Sequence, residues 1–396
     1  MGDKGLGFMN RRKLILAVGI ATLAGVCLAA GDQNYSSAAP PASIPTFSTA
    51  NIAREGFFFV GGHYVGGPGN HVVQGSMYVE VMVPKRVRHP YPVVFFPQGA
   101  ITAIEFMQTP DGRPGWARWF VDQGYVVYVN DPPTLGRSPY VPNVDGPKEP
   151  TIRTVEGAEK DWTASQELGD WPQAKKYSAW PGSGLMGDPA FDNFMNYLLA
   201  RLPRGEYSES LRGAGGAALL DKIGPAVLIG HAEGAGTAWM MADARPKLVR
   251  GIITLQPQGP PMEDYFPPPK KPNHLWGLTY SPIHYDPPIK DPSELQVVKQ
   301  EKPEAPDLAP CWRQKEPARK LVNLVGIPEL VISTEAGYHR LFDHCTAEWL
   351  NQAGVKTDFV GLETVGIHGN GDEMVLEKNS FDLAKFVDGW IEKNVH

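Results

Sequence analysis

Beyond the first 13 positions no basic run is longer than two residues, and the formal net charge is -6. Nucleic acid is held by clustered Lys and Arg on one face, so this composition excludes it as an expected partner. Cysteine is scarce. Of the three, Cys27, Cys311 and Cys345, none sits at a spacing that resembles a metal site. Past residue 30 no apolar run is long enough to cross a bilayer, so no stable membrane span is expected in the mature chain. With 42% hydrophobic and 20% charged residues over 396 positions, the chain can bury a large core, as one α/β domain with insertions or as two smaller domains.

The N-terminus reads as an export signal over residues 1–30. Arg11-Arg12-Lys13 supplies the charged region, and the 17 residues Leu14 to Ala30 form an apolar run ending in small residues. A lipoprotein signal is disfavoured because Cys27 follows Val26, where a small residue is expected. The expected location is secreted or periplasmic. Cys27 would leave with the signal, and Cys311 and Cys345 remain as a disulfide or as two free thiols.

Residues 31–54 read as a Ser/Ala/Pro linker, and 55–396 as the folded domain. Strands are expected at Phe57–Val60 and Ser76–Val83, with Gly61-Gly62 and Gly66-Gly67-Pro68-Gly69 as turns, forming an antiparallel edge. Tyr91–Phe96 is a continuous apolar run of the kind buried on both faces of a parallel sheet. Further strands are expected at Tyr125–Val129, Pro225–Ile229, Leu248–Leu255, Ile327–Ser333 and Thr357–Val360. Helices are expected at Gly115–Gln123, Phe191–Leu202, His344–Gly354 and Ser380–Asn394. This alternation predicts a doubly wound, mostly parallel α/β sheet. Residues 257–318 are dense in proline and aromatics, and are expected to form a lid. Trp116, Trp119, Trp162, Trp171, Trp180 and Tyr265 read first as core or lid packing and second as a pocket wall.

The most informative segment is Gly230-His231-Ala232-Glu233-Gly234, between an apolar strand and a small-residue helix start. It matches the nucleophile elbow G-x-S-x-G in frame, with Ala232 at the central position. The chain resembles the α/β-hydrolase fold over about residues 55–394, and within it a secreted esterase-type family. The resemblance rests on the elbow, Thr109-Pro-Asp-Gly-Arg-Pro-Gly-Trp116, Gly136-Arg137-Ser138-Pro139, Gln256-Pro-Gln-Gly-Pro-Pro261, Glu335-Ala-Gly-Tyr-His339, Gly366-Ile-His-Gly-Asn370 and Leu376-Glu-Lys-Asn379. Such families hydrolyse small or aromatic carboxylic esters without a cofactor, so none is expected here.

The resemblance assigns a site whose parts are altered. Ala232 holds the nucleophile position without a hydroxyl. Gln256 stands where relatives tend to carry the acid, and Glu335, after the next strand, is the other usual acid location. His368 lies in the loop where an α/β-hydrolase histidine belongs, either as a displaced base or as a loop residue bonded to backbone. The family places its histidine four residues later, where this chain has Asp372. The oxyanion hole is expected from the backbone N–H of Glu233 and of Gly99 or Ala100, after Gln98 where relatives show histidine. His231 and Glu233, beside the empty position, are possible acid and base groups, although such residues more often tune elbow packing.

Four departures (Gln98, Ala232, Gln256, Asp372) favour natural divergence over one engineered Ser-to-Ala change in a serine carboxylesterase. The expected function is an exported enzyme of this class acting on a small aromatic or ester-like substrate without a serine nucleophile. Its concrete form is water activated through His368 and Glu335. The alternative is a non-catalytic relative that binds a small hydrophobic ligand.

Overall fold

In the computed structural model, residues 40–41, 43–145, 150–265 and 270–396 are described. The expected signal, residues 1–30, lies outside the described residues, as do residues 31–39 and 42 of the linker. The chain divides into two units, Met1–Ile44 and Pro45–His396. In the first, the Ile44 N–H donates to the Pro41 carbonyl at 2.9 Å.

Eight strands build one sheet: β1 (Ile52–Val65), β2 (Val72–Pro84), β3 (Val93–Phe96), β4 (Val127–Asp131), β5 (Ala226–His231), β6 (Val249–Leu255), β7 (Glu329–Ser333) and β8 (Thr357–Gly361). Their order is β1-β2-β4-β3-β5-β6-β7-β8. β1 pairs antiparallel with β2, and β2 with β4; the remaining neighbours are parallel. The expected antiparallel edge on a mostly parallel sheet is therefore present. β3 and β5 are buried along their whole length, as their unbroken apolar runs require. From β3 the chain winds first outward to β4, then back across β3 to β5. That reversal leaves a crevice at the carboxyl ends of β3 and β5, where ligands of such sheets bind.

The helices of seven or more residues are α1 (Trp116–Gln123), α2 (Pro189–Met195), α3 (Glu206–Ile223), α4 (Glu233–Ala244), α5 (Asp343–Gln352) and α6 (Ser380–Asn394). One core packs Phe95, Trp116, Phe120, Phe191, Leu383 and Val387 on one face of the sheet. The other packs Val94, Leu219, Trp239, Met241, Trp349 and Leu350. The tryptophans 116, 162, 171 and 180 are all buried, in keeping with a packing role.

Several local expectations differ from the structure. β1 begins at Ile52, inside the stretch read as linker, and runs through Gly61-Gly62 rather than turning there. Both glycines have positive φ, and a Cβ at Gly61 would lie 3.0 Å from the Gly75 carbonyl oxygen on the facing strand. The helix expected over Phe191–Leu202 stops at Met195. Beyond it the backbone finds other partners: the Leu199 N–H bonds to the Ala100 carbonyl, and Thr151 and Arg201 exchange two bonds. The 18-residue α3 gives no strong signal in the sequence, because Gly213, Gly215 and Gly216 interrupt it. These glycines let α3 lie close on its neighbours; a Cβ at Gly216 would come within 2.4 Å of the Met241 sulfur.

Within the 257–318 segment the described residues form paired short strands. Glu263–Asp264 pairs with Lys271–Pro272, and Val297–Lys299 with Trp312–Gln314. Leu278, Ile283, Tyr285 and Leu295 anchor it in the second core. Cys311, in the insertion, is disulfide-bonded to Cys345 in α5, 34 residues away. Closing a loop of that length in the unfolded chain is worth about 3–4 kcal/mol. A Cys311→Ser/Cys345→Ser double variant should lose a comparable amount in urea unfolding. An unchanged midpoint would show that the insertion is held by its core contacts alone.

Candidate active site

The elbow is built by close packing. A Cβ at Gly234 would come 2.2 Å from the Phe96 carbonyl oxygen, and one at Gly230 would come 2.3 Å from that of Gly234. Only glycine fits both positions, and the turn between them throws Ala232 to φ 48°, ψ -109° at the start of α4. Such a backbone costs roughly 1–3 kcal/mol and persists only where its surroundings impose it. Gln256, at the end of the adjacent β6, also has positive φ, at 44°. Two strained residues thus stand side by side at the carboxyl edge of the sheet, joined through the Ala232 N–H to the Leu255 carbonyl at 3.0 Å.

Around this point lies a buried polar cluster. The His231 Nδ1 pairs with Glu105, whose other oxygen accepts the Gln98 N–H at 2.9 Å. Burial disfavours charge on His231, but the Glu105 carboxylate outweighs it and lifts the imidazole to about 9. Gln98 donates its amide to both oxygens of Glu373 at 2.8 Å, and burial pushes that carboxyl well above its ordinary range. The glutamine in the loop after β3 therefore anchors the acid that follows Asp372.

Asp372 itself is buried, and burial raises its proton affinity, opposed by His339 and His231 and reinforced by Asp161. His339 sits 2% exposed between two carboxylates: its Nδ1 is 3.3 Å from Asp343 Oδ1 and its Nε2 is 3.7 Å from Asp372 Oδ1. Arg153 pairs with Asp161 nearby and stacks on Trp162. His339 was missed as a site residue, although it lies within Glu335-Ala-Gly-Tyr-His339. The available signal was Asp343 four residues on, a spacing that brings the pair together on a helical turn.

The other expected residues fall in two places. His368 Nδ1 and Glu335 Oε2 are 3.2 Å apart, so the expected pair forms. It forms at the surface, with His368 62% exposed and Lys176 at 3.6 Å from Glu335. The groups that act most strongly on Asp372 are His339, His231, Asp161 and Arg153. Gln256 is fully buried; its amide donates to Thr334 Oγ1 at 2.8 Å, and its Oε1 has no hydrogen-bond partner among the described residues. Among the described residues, His231 Nε2 and Asp372 Oδ1 are likewise buried without a hydrogen-bond partner.

Gly99 and Ala100 are held through their carbonyls, by Arg212 Nη2 at 3.0 Å and the Leu199 N–H at 2.8 Å. Among the described residues, their N–H groups find no backbone acceptor. The Glu233 side chain closes directly over Gly99, where a Cβ would clash with it. Burial would raise this carboxyl, but Arg201, Arg204 and Arg212 hold it down to about 2.

The strings that carried the resemblance brace the loop bearing Asp372. Asn370 and Asn379 exchange amide bonds of 2.7 and 2.9 Å, and Glu377 accepts from Asn370 and the Gly371 N–H. Arg113, from the 109–116 string, donates to the carbonyls of Leu376, Glu377 and Lys378. For a metal, Cys311, His344 and Cys345 bring ligand atoms within 4.8 Å of one another, but their two sulfurs are joined to each other.

An eight-stranded, mostly parallel sheet with a strained strand-to-helix elbow at its switch point is the α/β-hydrolase fold. The structure of a novel bacterial esterase superposes with a TM-score of 0.60 at 21% identity, over 90% of this chain and 99% of that one, and shows the same fold. No family model matches the sequence. The chain belongs to the family of the probable secreted lipase phiG of Fungal sp. (strain ATCC 74256), with 38% identity over 338 residues, 85% of this chain and 89% of the relative. Among the described residues no helix is long and apolar enough to cross a membrane.

Proposed function

We propose that this chain is an exported α/β-hydrolase-family enzyme that acts on a small ester-like substrate by acid–base chemistry, without a covalent acyl–enzyme. Ala232 takes the central position of the G-x-S-x-G frame, where that motif has its attacking serine, and a methyl group offers no lone pair. The observation that supports the reading is the buried Asp343–His339–Asp372 array, built from the segment between β7 and α5, the first residue of α5 and the loop after β8, beside that elbow. Asp343 holds one face of the imidazole, and Asp372, raised by burial, can share a proton with the other. His231, lifted to about 9, is cationic at neutral pH and suits charge stabilisation better than proton abstraction. The amides of Gly99, Ala100 and Glu233 are the proposed cradle for a carbonyl oxygen, with the insertion over residues 257–318 as the lid. In this reading His368 and Glu335 stabilise the loop surface.

Introducing a hydroxyl tests the reading. Ala232→Ser is expected to change p-nitrophenyl ester turnover by no more than a few-fold, with no burst phase and no labelling by a fluorophosphonate. Asp372 occupies the place of the base that would activate the serine. Restored hydrolysis in an otherwise inactive protein would overturn the proposal and make the chain a serine esterase lacking its serine. Ligand-dependent thermal stabilisation with no product from any ester would favour a binding protein instead.

A further inference from the structure

Away from the elbow, three metal-ligating side chains converge on the outer face of α6. His89, between β2 and β3, Asp388 and Glu392 each bring one ligand atom within 4.8 Å of the other two. Asp388 and Glu392 lie one turn apart on the same face of the helix, so α6 by itself presents them as a pair. His89 and Asp388 are half-buried, and Glu392 is exposed.

The two carboxylates lack a cationic partner. Like charges at this spacing destabilise a helix. Burial, first, and the Glu392 charge raise the proton affinity of Asp388, with Tyr125 and His89 opposing; the groups that act most strongly on it include no lysine or arginine. His89 does not close the gap by direct contact. Its hydrogen bond goes to Gln123, and that of Asp388 comes from Tyr125.

The contacts that orient the three residues come from outside them. Tyr125, 1% exposed, stacks on the His89 ring with centroids 3.5 Å apart and planes 3° from parallel. Its hydroxyl donates to Asp388 Oδ1 at 2.7 Å. One buried tyrosine thus fixes two of the three side chains. The His89 Nε2 lies 3.3 Å from the Gln123 carbonyl oxygen. A carbonyl only accepts, so Nε2 carries the proton and the neutral ring keeps its Nδ1 lone pair for a ligand. An imidazole whose other N–H donates to a carbonyl, and a carboxylate held by a hydrogen bond, are the usual outer contacts of metal ligands.

The donor set selects the ion. One imidazole nitrogen with two carboxylates suits zinc, whereas calcium and magnesium prefer oxygen throughout. Donors about 2.1 Å from a zinc ion stand about 3.4 Å apart at tetrahedral angles. The exposed Glu392 is free to rotate and close that difference.

We propose that His89, Asp388 and Glu392 form a zinc site, completed by water, that ties α6 to the segment before β3. The site is independent of the function proposed above, and its effect is on stability.

The test is calorimetric titration of the EDTA-treated, desalted protein with zinc chloride at pH 7. One equivalent should bind, with calcium and magnesium at least ten-fold weaker. Zinc should also raise the melting temperature, as a ligand of the folded state does. His89→Gln and Glu392→Gln should each weaken zinc ten-fold or more and remove that rise. Because Glu392 is exposed, its variant should fold as the parent does. Its metal-free melting temperature should be equal or higher, since the like-charge pair is gone. Tyr125→Phe keeps the stacking and drops the hydroxyl, and should weaken zinc about ten-fold. No one-to-one binding in the parent, or zinc held as tightly by His89→Gln and Glu392→Gln, would overturn the site.

Discussion

Replacing His339 by glutamine should lower kcat for ester turnover by on the order of 10²- to 10⁴-fold, the usual worth of a positioned acid–base group. KM should move little, because the glutamine amide fills much the same space between Asp343 and Asp372 and still offers a hydrogen bond. Asp372→Asn should produce a loss of similar size and remove one limb of the pH–rate profile. The loss belongs to chemistry rather than folding if near-UV circular dichroism and the melting temperature are preserved. His368→Gln is the informative comparison: the ring is exposed and paired with Glu335 at the surface, so its removal should cost no more than a few-fold. A collapse of activity in His368→Gln with normal activity in His339→Gln would place the base on the outer loop and defeat the assignment.

Raising the pH from 6 to 9.5 should destabilise the fold by on the order of 3 kcal/mol through His231 alone. The folded imidazole binds its proton up to about 9, because Glu105 outweighs the burial that opposes charge, against about 6.5 in the unfolded chain. The folded state therefore holds more protons than the unfolded state across that window, and stability falls as pH rises through it. Below about pH 6.5 both states are protonated and the full contribution is present. Glu329, whose carboxyl accepts from Trp239 Nε1 at 2.7 Å, acts with the same sign: burial raises it to about 8, so its neutral form is lost on the same side. Thermal melts of the parent should drop by roughly 5–10 °C across the range. His231→Gln should start lower at pH 6 and show a flatter slope, and Glu329→Gln should flatten the slope without the first penalty. A parent whose melting temperature is level from pH 6 to 9 would mean that His231 is not charged in the folded state.

The two expectations meet at the elbow. His231 lies immediately before Ala232, and its ring is fixed by a carboxylate from the segment after β3. His339 approaches the same region from the segment after β7. The charges that stabilise the fold and the groups proposed for chemistry thus share one buried cluster. Variants there need stability and turnover measured together.

Much of the fold was legible from local pattern. The unbroken apolar runs at β3 and β5, the Gly-x-Ala-x-Gly frame and the amphipathic α6 each announce themselves within a few residues. The α3 helix did not, because the glycines that let it approach α4 are the residues that weaken a helical signal. The early end of α2 was also hidden, since the backbone partners of Leu199 and Arg201 come from residues 100 and 151.

For the site, the sequence alone determined that position 232 of the elbow frame carries a methyl group and no hydroxyl, and which side chains stand at positions 98, 256 and 372. These are identities, and folding cannot change them. The tertiary structure decided which charges meet. It put the His368–Glu335 pair in solvent and His339 between two buried carboxylates. It also gathered three arginines from residues 201–212 around the glutamate that follows the elbow. Coulomb and burial effects depend on distance and desolvation. Both are set by packing between segments far apart in the chain, and no spacing along it encodes them.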